Sequence, residues 1–434
     1  MNRQSFECGC GSMDHISRRT LLKYGGAAGL LWLTPIAQVL AREEEEAPRG
    51  KPARSVIILW QAGGPSQLET FDPHPDSKIS FGTKAMKTAV PGVQVAEGFG
   101  HVAELMNDIS LVRSVVSKEA DHERAVYNMK TGYRPNPTVV HPSIGAVVCH
   151  ELNDSGIDIP RHISILPNQW PARGGYLGAQ YDAFQVYDPL GPIQDVAPQV
   201  TQERLDQRMK DLSVVERAFE RGRPMNLDAD TTLHQVTMAR ALKIMSSAQL
   251  AAFDVKQAPA SQRAAYGDTP FGRGCLAALR LIETGVRCVE VTLDGWDTHV
   301  NNHELQRRKV AVLDPAFAAL IRDLKERNLF DSTVVLCGGE FGRTPKLNPL
   351  GGRDHWPYAF TVALAGGGIR GGTVVGSSDP EGEKKEPERP VHVEDIHTTI
   401  QHALGIDSKK EIITPVGRPL ALSDGKVVRE LLRT

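Results

Sequence analysis

The sequence predicts an α/β fold built around a mainly parallel central sheet. Short continuous apolar runs, typical of buried strands, alternate along the chain with longer amphipathic stretches of helical periodicity. Strands that alternate with helices form parallel sheets, because each helix carries the chain back to the start of the next strand. With 434 residues, of which 41% are hydrophobic, the chain is long enough to bury a substantial core.

The predicted strands are apolar runs of four to six residues. The first one, SVIILW, runs into Ala62-Gly63-Gly64-Pro65, a sequence typical of a loop after a buried strand. In chain order the predicted strands cover residues 55–60, 109–112, 288–293, 333–337 and 360–364.

The predicted helices follow these strands, and several stop at a glycine, which is a common helix terminator. They cover residues 101–108, 121–130, 143–152, 271–284, 310–328 and 394–404. A Gly/Pro-rich stretch occupies residues 160–198. Two long helical patterns, 199–221 and 231–251, then follow each other without a strand, so we expect a helical insertion at about 199–251.

The first 41 residues have the pattern of a twin-arginine export signal. Arg18-Arg19 precedes a moderately apolar segment that ends in small residues, and we expect cleavage after Ala41. The alternative is a chance pair of arginines before a short buried helix. The signal predicts a partnership with the twin-arginine translocase and a periplasmic or secreted location.

Residues 42–53, REEEEAPRGKPA, are charged and contain proline, so we expect a disordered linker before a single domain at 54–434. No run of 18 apolar residues predicts a membrane span. The 50 Lys and Arg residues nearly balance 52 Asp and Glu, which argues against a nucleic-acid-binding surface. Six cysteines in a chain of this length exclude a disulfide-stapled scaffold.

Candidate metal ligands gather where the predicted strands end. In open α/β sheets, ligands bind beyond the carboxyl ends of the strands. Carboxylates and imidazoles in such loops are suitable ligands for a divalent metal such as Zn, Ca, Mg or Mn. The candidates are Asp297, His299, Glu340, Asp354 and His355.

Each candidate also has a purely structural interpretation. Asp297 could cap the following helix. His303, four residues after His299, could be a surface residue or replace it as a ligand. Arg343 could pair with Glu340, whose burial without a partner would be costly.

Five sequence blocks resemble a known bacterial family. The blocks are GGPSQLETFDPHP (63–75), LVRSVVSKEADHERAVYNMKTGYRP (111–135), GWDTH (295–299), GEFGRTP (339–345) and GRDHW (352–356). They resemble an exported family of unknown function, number fifteen hundred and one, which is often labelled sulfatase-like. The resemblance spans essentially the chain after residue 41. It implies a three-layer α/β/α sandwich of the alkaline phosphatase superfamily.

The resemblance assigns metal ligands to some residues and departs from the superfamily at others. Asp297 with His299, and His355 further along, fit the expected Asp and His positions. Glu340-Phe341 keeps an acid but lacks the expected imidazole, and the first strand ends in Trp60-Gln61 instead of an aspartate. The sulfatase motif Cys-x-Pro-Ser-Arg is absent, and Asp121-His122-Glu123-Arg124 stands where it is expected.

The resemblance and the strand-end residues together imply a metal-dependent hydrolase of phosphate or sulfate esters, whose substrate is a small anionic ester or a sulfated or phosphorylated glycan. His122 could be a metal ligand, a general acid or base, or a nucleophile. Ser66 is the alternative nucleophile, although a turn cap is its structural interpretation. Arg343 and Arg353 could grip the anionic ester, with Gln61 as a further substrate contact.

Two other functions are also compatible with the sequence. A non-catalytic envelope protein could keep the fold and a structural metal, as the missing imidazole and nucleophile suggest. A carbohydrate-binding or surface-assembly role is suggested by the export signal alone.

The export signal gives a direct prediction. Changing both arginines, Arg18→Lys and Arg19→Lys, should trap the precursor in the cytoplasm because the translocase reads the arginine pair. Cell fractionation and immunoblotting would measure this. Normal export of the double variant would contradict the twin-arginine assignment.

Overall fold

A computed structural model describes residues 51–152, 156–191, 193, 196–220 and 233–433. The predicted signal peptide, residues 1–41, and residues 42–50 of the predicted linker lie outside the described residues. Within the rest of that linker, Ala53 is buried, and its N–H donates a hydrogen bond to the carbonyl of Ala403. Packing against the fold therefore begins before residue 54.

The described chain forms 15 strands, and the longer ones occur where apolar runs predict them. They are β1 (Ser55–Gln61), β2 (Ala85–Lys87), β3 (Gln94–Ala96), β4 (Ile109–Val116), β5 (His162–Ile165), β6 (Phe184–Val186), β7 (Cys288–Leu293), β8 (Thr333–Gly338), β9 (Gly342–Arg343), β10 (His355–Trp356), β11 (Phe360–Gly366), β12 (Val374–Val375), β13 (Val391–His392), β14 (Glu411–Ile413) and β15 (Pro419–Ala421).

Nine α-helices connect or flank the described strands. They are α1 (Gly100–Glu104), α2 (His122–Thr131), α3 (Ile144–Glu151), α4 (Gln202–Glu220), α5 (Leu233–Ser246), α6 (Ala260–Ala265), α7 (Pro270–Thr284), α8 (Asn302–Glu326) and α9 (Val393–Ala403). Helices α4 and α5 lie within residues 199–251, where a helical insertion is predicted, and residues 221–232 between them lie outside the described part of the chain.

The central sheet has nine strands and is mainly parallel, which confirms the predicted fold class. Its order is β12-β4-β11-β8-β1-β7-β5-β6, and β13 also pairs with β4. Strand β11 is antiparallel to its neighbours β4 and β8, and every other pairing in this sheet is parallel. Consequently β1, β4, β5, β7 and β8 all end at one edge, where β11 begins.

Apolar side chains cover both faces of the sheet. On one face, Ile57 and Leu59 of β1 belong to a core shared with α7 and α8. On the other face, Val56, Ile58 and Trp60 belong to a core shared with α2, α3 and α9. The alternation along β1 therefore gives helix, sheet and helix layers, as expected for a strand buried on both sides.

Local sequence explains where α2, the helix that begins with His122, starts and ends. The Asp121 side chain caps α2 by accepting a hydrogen bond from the N–H of Arg124 at 3.2 Å. Gly132 ends the helix in the left-handed conformation, with φ of 79°. His122 is consequently the first helical residue, at the carboxyl edge of the sheet.

Several short or irregular elements of the structure were not predicted from the sequence. Strands β5 and β6 lie within the Gly/Pro-rich stretch, where three- or four-residue strands carry little periodicity. Helix α8 begins at Asn302, eight residues before the predicted start, and it contains Pro315. No helix in the described ranges is long and apolar enough to cross a membrane.

Candidate functional site

Four chain segments meet at the carboxyl edge of the sheet and bring polar side chains together. Asp297 lies in the loop after β7, and Glu340 lies two residues after the end of β8. His355 lies on β10, which pairs antiparallel with β9 just before β11 begins. His122 starts α2, the helix after β4.

The Asp297 carboxylate is the centre of this group, and three imidazoles direct their Nε2 atoms towards it. His122 Nε2 lies 3.3 Å from Oδ2, while His299 Nε2 and His355 Nε2 lie 3.1 and 3.5 Å from Oδ1. The Nε2 atoms of His299 and His355 are 3.0 Å apart. Half-buried nitrogens and oxygens thus converge on one small volume.

The other nitrogen of each ring is held by a fixed acceptor. His122 Nδ1 lies 2.8 Å from Glu340 Oε1, and His299 Nδ1 lies 2.8 Å from Asp354 Oδ1. His355 Nδ1 lies 2.8 Å from the carbonyl oxygen of Ala120. An acceptor at Nδ1 favours a proton there, so that in the neutral ring the Nε2 lone pair is available, as in metal-binding histidines with carboxylate or carbonyl partners.

Glu340 is buried beneath the group with a side-chain exposure of 1%. Its Oε1 accepts hydrogen bonds from the Gly63 N–H at 2.9 Å and from His122, while Oε2 has no hydrogen-bond partner among the described residues. The ring of the neighbouring Phe341 stacks on that of His355, with 4.4 Å between the ring centroids. The ring of His122, from α2, lies beside that of Phe341, with 5.0 Å between the ring centroids.

Charge on these groups follows from their mutual contacts. Burial disfavours charge on His122, but hydrogen bonds and charges of Asp297 and Glu340 outweigh it and raise the pKa of His122 to about 9. Burial also disfavours ionised Asp297, yet His122, His355 and Arg343 hold the pKa of Asp297 well below its usual range. Asp297 is therefore an ionised, partly exposed carboxylate.

The guanidinium of Arg343 is fully buried and serves to fix Asp297. Its Nη2 lies 2.6 Å from Asp297 Oδ1 and also donates to the Gly63 carbonyl, while Nε donates to Gly64 O at 2.9 Å. The Arg353 carbonyl accepts a bond from Nη1 at 3.2 Å. The side chain pairs with Asp297, and not with Glu340 as considered from sequence. Because the Arg343 guanidinium is buried and donates to these protein acceptors, it is not available to bind an anionic ester.

Arg353 and Ser66 lie in a separate buried cluster around Glu69. Arg353 Nη2 and Nε donate to Glu69 Oε1 at 3.0 and 3.3 Å, and Nη1 and Nη2 also donate to backbone carbonyls. The Ser66 hydroxyl donates to Glu69 Oε2, and the residue is fully buried. His303 also faces Glu69, at 3.3 Å. The structure thus keeps the Arg353 guanidinium and the Ser66 hydroxyl apart from the Asp297 group.

Gln61, expected as a substrate contact, and two residues without a distinguishing sequence signal, Trp170 and Lys130, lie in segments adjoining those that carry the group. The buried Gln61 amide at the end of β1 leaves Nε2 without a hydrogen-bond partner among the described residues. Trp170, from the Gly/Pro-rich stretch, holds its ring nearly parallel to His122 at a centroid distance of 6.2 Å. Lys130 donates to the Trp170 carbonyl at 2.9 Å.

The candidate ligand atoms lie close enough together for one metal ion to contact them. One atom each of His122, Asp297 and His355 can be chosen so that all lie within 4.8 Å of one another. Ligand atoms about 2.0–2.2 Å from a tetrahedral zinc ion are roughly 3.3–3.6 Å apart. His122 Nε2 lies 3.3 Å from Asp297 Oδ2, and His355 Nε2 lies 3.5 Å from Asp297 Oδ1, so each imidazole faces a different oxygen of the carboxylate at a comparable distance. The donor set and its spacing therefore fit a divalent cation.

A family model described as "Protein of unknown function (DUF1501)" matches residues 53–432. The chain belongs to this family. The match covers nearly all of the described residues, and it includes every segment that carries the Asp297 group. No match was found among the curated proteins.

Several solved structures share a coarse likeness with this family member. A sulfatase from Pseudoalteromonas sp. is 14% identical, with 86% of this chain and 70% of that chain covered and a TM-score of 0.36. The lipoteichoic acid synthase LtaP from Listeria monocytogenes is 10% identical, with coverages of 84% and 74% and a TM-score of 0.38. A phosphonate monoester hydrolase from Silicibacter pomeroyi is 11% identical, with coverages of 88% and 76% and a TM-score of 0.34.

The cluster around Glu69 predicts a large stability effect. Glu69→Gln leaves the buried Arg353 guanidinium without its counter-charge, so the free energy of unfolding should fall by about 3–5 kcal/mol. Urea unfolding at pH 7 would measure this. A loss below 1 kcal/mol would contradict a stabilising role for the pair.

The same substitution should flatten the acid dependence of stability. Burial disfavours the ionised Glu69, but Arg353 and hydrogen bonds outweigh it and lower the pKa of Glu69 below its ordinary 4.5. Its contribution is fully present above pH 4.5 and is lost as pH falls through the lowered pKa. The stability gap between wild type and Glu69→Gln should therefore narrow only below pH 4.5.

Proposed function

We propose that this protein is an exported, metal-dependent hydrolase of phosphate or sulfate esters. The observation that carries the proposal is the convergence of three imidazole Nε2 atoms on the Asp297 carboxylate, with every Nδ1 held by a fixed acceptor. The export and ester specificity come from the sequence signal and the family resemblance.

His122, Asp297 and His355 would hold the ion. Two nitrogens and one carboxylate oxygen are a borderline donor set, which favours Zn²⁺ or Mn²⁺ over Ca²⁺, since Ca²⁺ prefers six to eight oxygens. Three protein ligands leave one position of a tetrahedral ion open, as in catalytic zinc sites. Glu340 would orient His122, and Arg343 would fix Asp297.

A bound divalent ion would polarise the ester and lower the pKa of a bound water towards neutrality. This chemistry needs no side-chain nucleophile, which agrees with the burial of Ser66 and its bond to Glu69. His299 borders the three proposed ligands, and its side chain is 44% exposed. We therefore place His299 beside the open position, where it would contact the substrate, with Asp354 orienting its ring.

Specific observations favour a second candidate, a non-catalytic envelope protein with a structural metal. The guanidinium groups of Arg343 and Arg353 are buried and engaged with protein acceptors, so neither is free to bind an ester. An assay for turnover distinguishes the two candidates, because both expect a metal but only the hydrolase expects catalysis.

Metal binding tests the first part of the proposal. After treatment with a chelator, the wild type should bind one Zn²⁺ or Mn²⁺ per chain, while His122→Ala and Asp297→Asn should lose most of this affinity. Glu340→Gln should weaken binding by about 10–100-fold, the usual effect of removing a partner of a ligand histidine. Isothermal titration calorimetry would measure these affinities.

His101→Ala is the matched control for metal binding. His101 pairs at 2.8 Å with Asp314, which lies midway along α8, about 18 Å from the start of that helix near the Asp297 loop. This variant should bind metal like the wild type. Absence of binding in the wild type, or equal binding by Asp297→Asn, would refute the metal site.

Turnover tests the second part of the proposal. The wild type should hydrolyse an aryl phosphate or an aryl sulfate only when the metal is present. His299→Ala should lower kcat by about 10²–10⁴-fold while one ion stays bound, since this is the usual effect of losing a group that exchanges protons with the substrate. Loss of the ion in His299→Ala would make this residue a ligand instead. No turnover of either ester by the metal-loaded wild type would favour the non-catalytic candidate.

A further inference from the structure

A second charged group lies inside the fold, away from Asp297. Lys130 Nζ lies 2.8 Å from Glu290 Oε1, and the two side chains are only 7% and 2% exposed. The ammonium also donates to the Trp170 carbonyl at 2.9 Å and lies 5.1 Å from the centroid of the Trp60 ring. A carboxylate, a carbonyl and an aromatic face thus surround one buried cation.

Each partner of Lys130 belongs to a segment that leads to the candidate site. Lys130 lies in the last turn of α2, whose first residue is His122. Glu290 lies in β7, which runs into the loop of Asp297, and Trp60 lies in β1, which runs into Gly63. The ring of Trp170 lies beside His122. One ammonium therefore contacts the segments that carry His122, Asp297 and Trp170.

The energetics of buried ion pairs indicate that stability alone does not explain this arrangement. The cost of removing two charges from water commonly equals or exceeds their attraction, and apolar pairs of similar volume are often as stable. An apolar side chain at position 130 could fill the space but could not donate to the Trp170 carbonyl. What the ammonium supplies is a defined distance between α2, β7 and the loop at 166–174.

We propose that Lys130 is a positioning residue that couples α2 to the loop at 166–174 and thereby holds Trp170 and His122 in register. The effect on metal binding rests on the proposed function, whereas the coupling of helix and loop does not. Glu290 holds the ammonium in place, and Ser164 Oγ donates to Glu290 Oε1 at 3.3 Å from β5.

The test uses Lys130→Met and the double variant Lys130→Met/Glu290→Met in the whole chain. The single variant leaves Glu290 buried without a partner, so it should lose stability. The double variant removes both charges and should unfold at a urea concentration close to that of the wild type. Because it remains folded, it separates positioning from stability.

Hydrogen–deuterium exchange measures the coupling without reference to metal. In the double variant, amides of residues 166–174 should exchange at least several-fold faster, while those of β1 and β7 stay protected. Unchanged exchange in this loop, in a folded double variant, would overturn the coupling. Unfolding of the double variant with loss of protection throughout the sheet would also overturn it, because the pair would then act on stability.

Metal affinity measures the consequence at the site. The double variant should bind Zn²⁺ about tenfold more weakly, the lower end of the effect expected for groups that orient ligands. Faster loop exchange with unchanged Zn²⁺ affinity would overturn the effect on the site. Absence of Zn²⁺ binding by the wild type would refute the metal site itself, and loop exchange alone would then decide the coupling.

Lys410→Met is the matched control. Lys410 also forms a 2.8 Å ion pair, with Glu151 at the end of α3, but its side chain is 47% exposed. This pair lies at the edge of the sheet opposite the candidate site. The control removes the same charge by the same substitution, so it should change neither the exchange of residues 166–174 nor Zn²⁺ affinity.

Discussion

The placement of one carboxylate governs the geometry of the candidate site. Asp297 lies in the loop after β7, and the buried guanidinium of Arg343 contacts its Oδ1 at 2.6 Å. Arg343 is anchored in turn by the carbonyls of Gly63 and Gly64 after β1. With the carboxylate fixed by two neighbouring strand ends, the imidazoles of α2 and β10 converge on a defined point.

Glycine is required at the strand end that anchors Arg343. Gly63 and Gly64 both have positive φ angles, 107° and 76°. A Cβ at Gly64 would lie 2.5 Å from the Phe341 ring, and one at Gly63 would lie 2.5 Å from the Asp297 N–H nitrogen. The close approach lets the Gly63 N–H reach Glu340 while its carbonyl reaches Arg343.

The sequence could predict the sheet and the ends of its long strands, because continuous apolar runs are strong local signals. It also identified Asp297, His299, Glu340 and His355 as neighbours, since parallel strands end at a common edge. The role of Arg343 could not be predicted from the sequence. Only the three-dimensional arrangement shows that its guanidinium is directed into the protein, towards Asp297 and backbone carbonyls.

Long-range pairings were also beyond reach of the sequence. Nothing local distinguishes Lys130 from a surface lysine at the end of a helix, yet its partner Glu290 is 160 residues away. Likewise, Ser66 stands in a Gly-rich loop typical of active sites, but its hydroxyl is directed to Glu69. Such choices depend on which charges are buried together, and this is a property of the assembled fold.

The central claim is that His122, Asp297 and His355 hold one metal ion. The most direct measurement is a crystal structure of the protein grown with Zn²⁺, with anomalous diffraction recorded at the zinc edge. The account predicts a single strong anomalous peak about 2.0–2.2 Å from His122 Nε2, His355 Nε2 and an Asp297 oxygen. A fully ordered Asp297 group with no anomalous peak, or a peak bound only elsewhere, would contradict it.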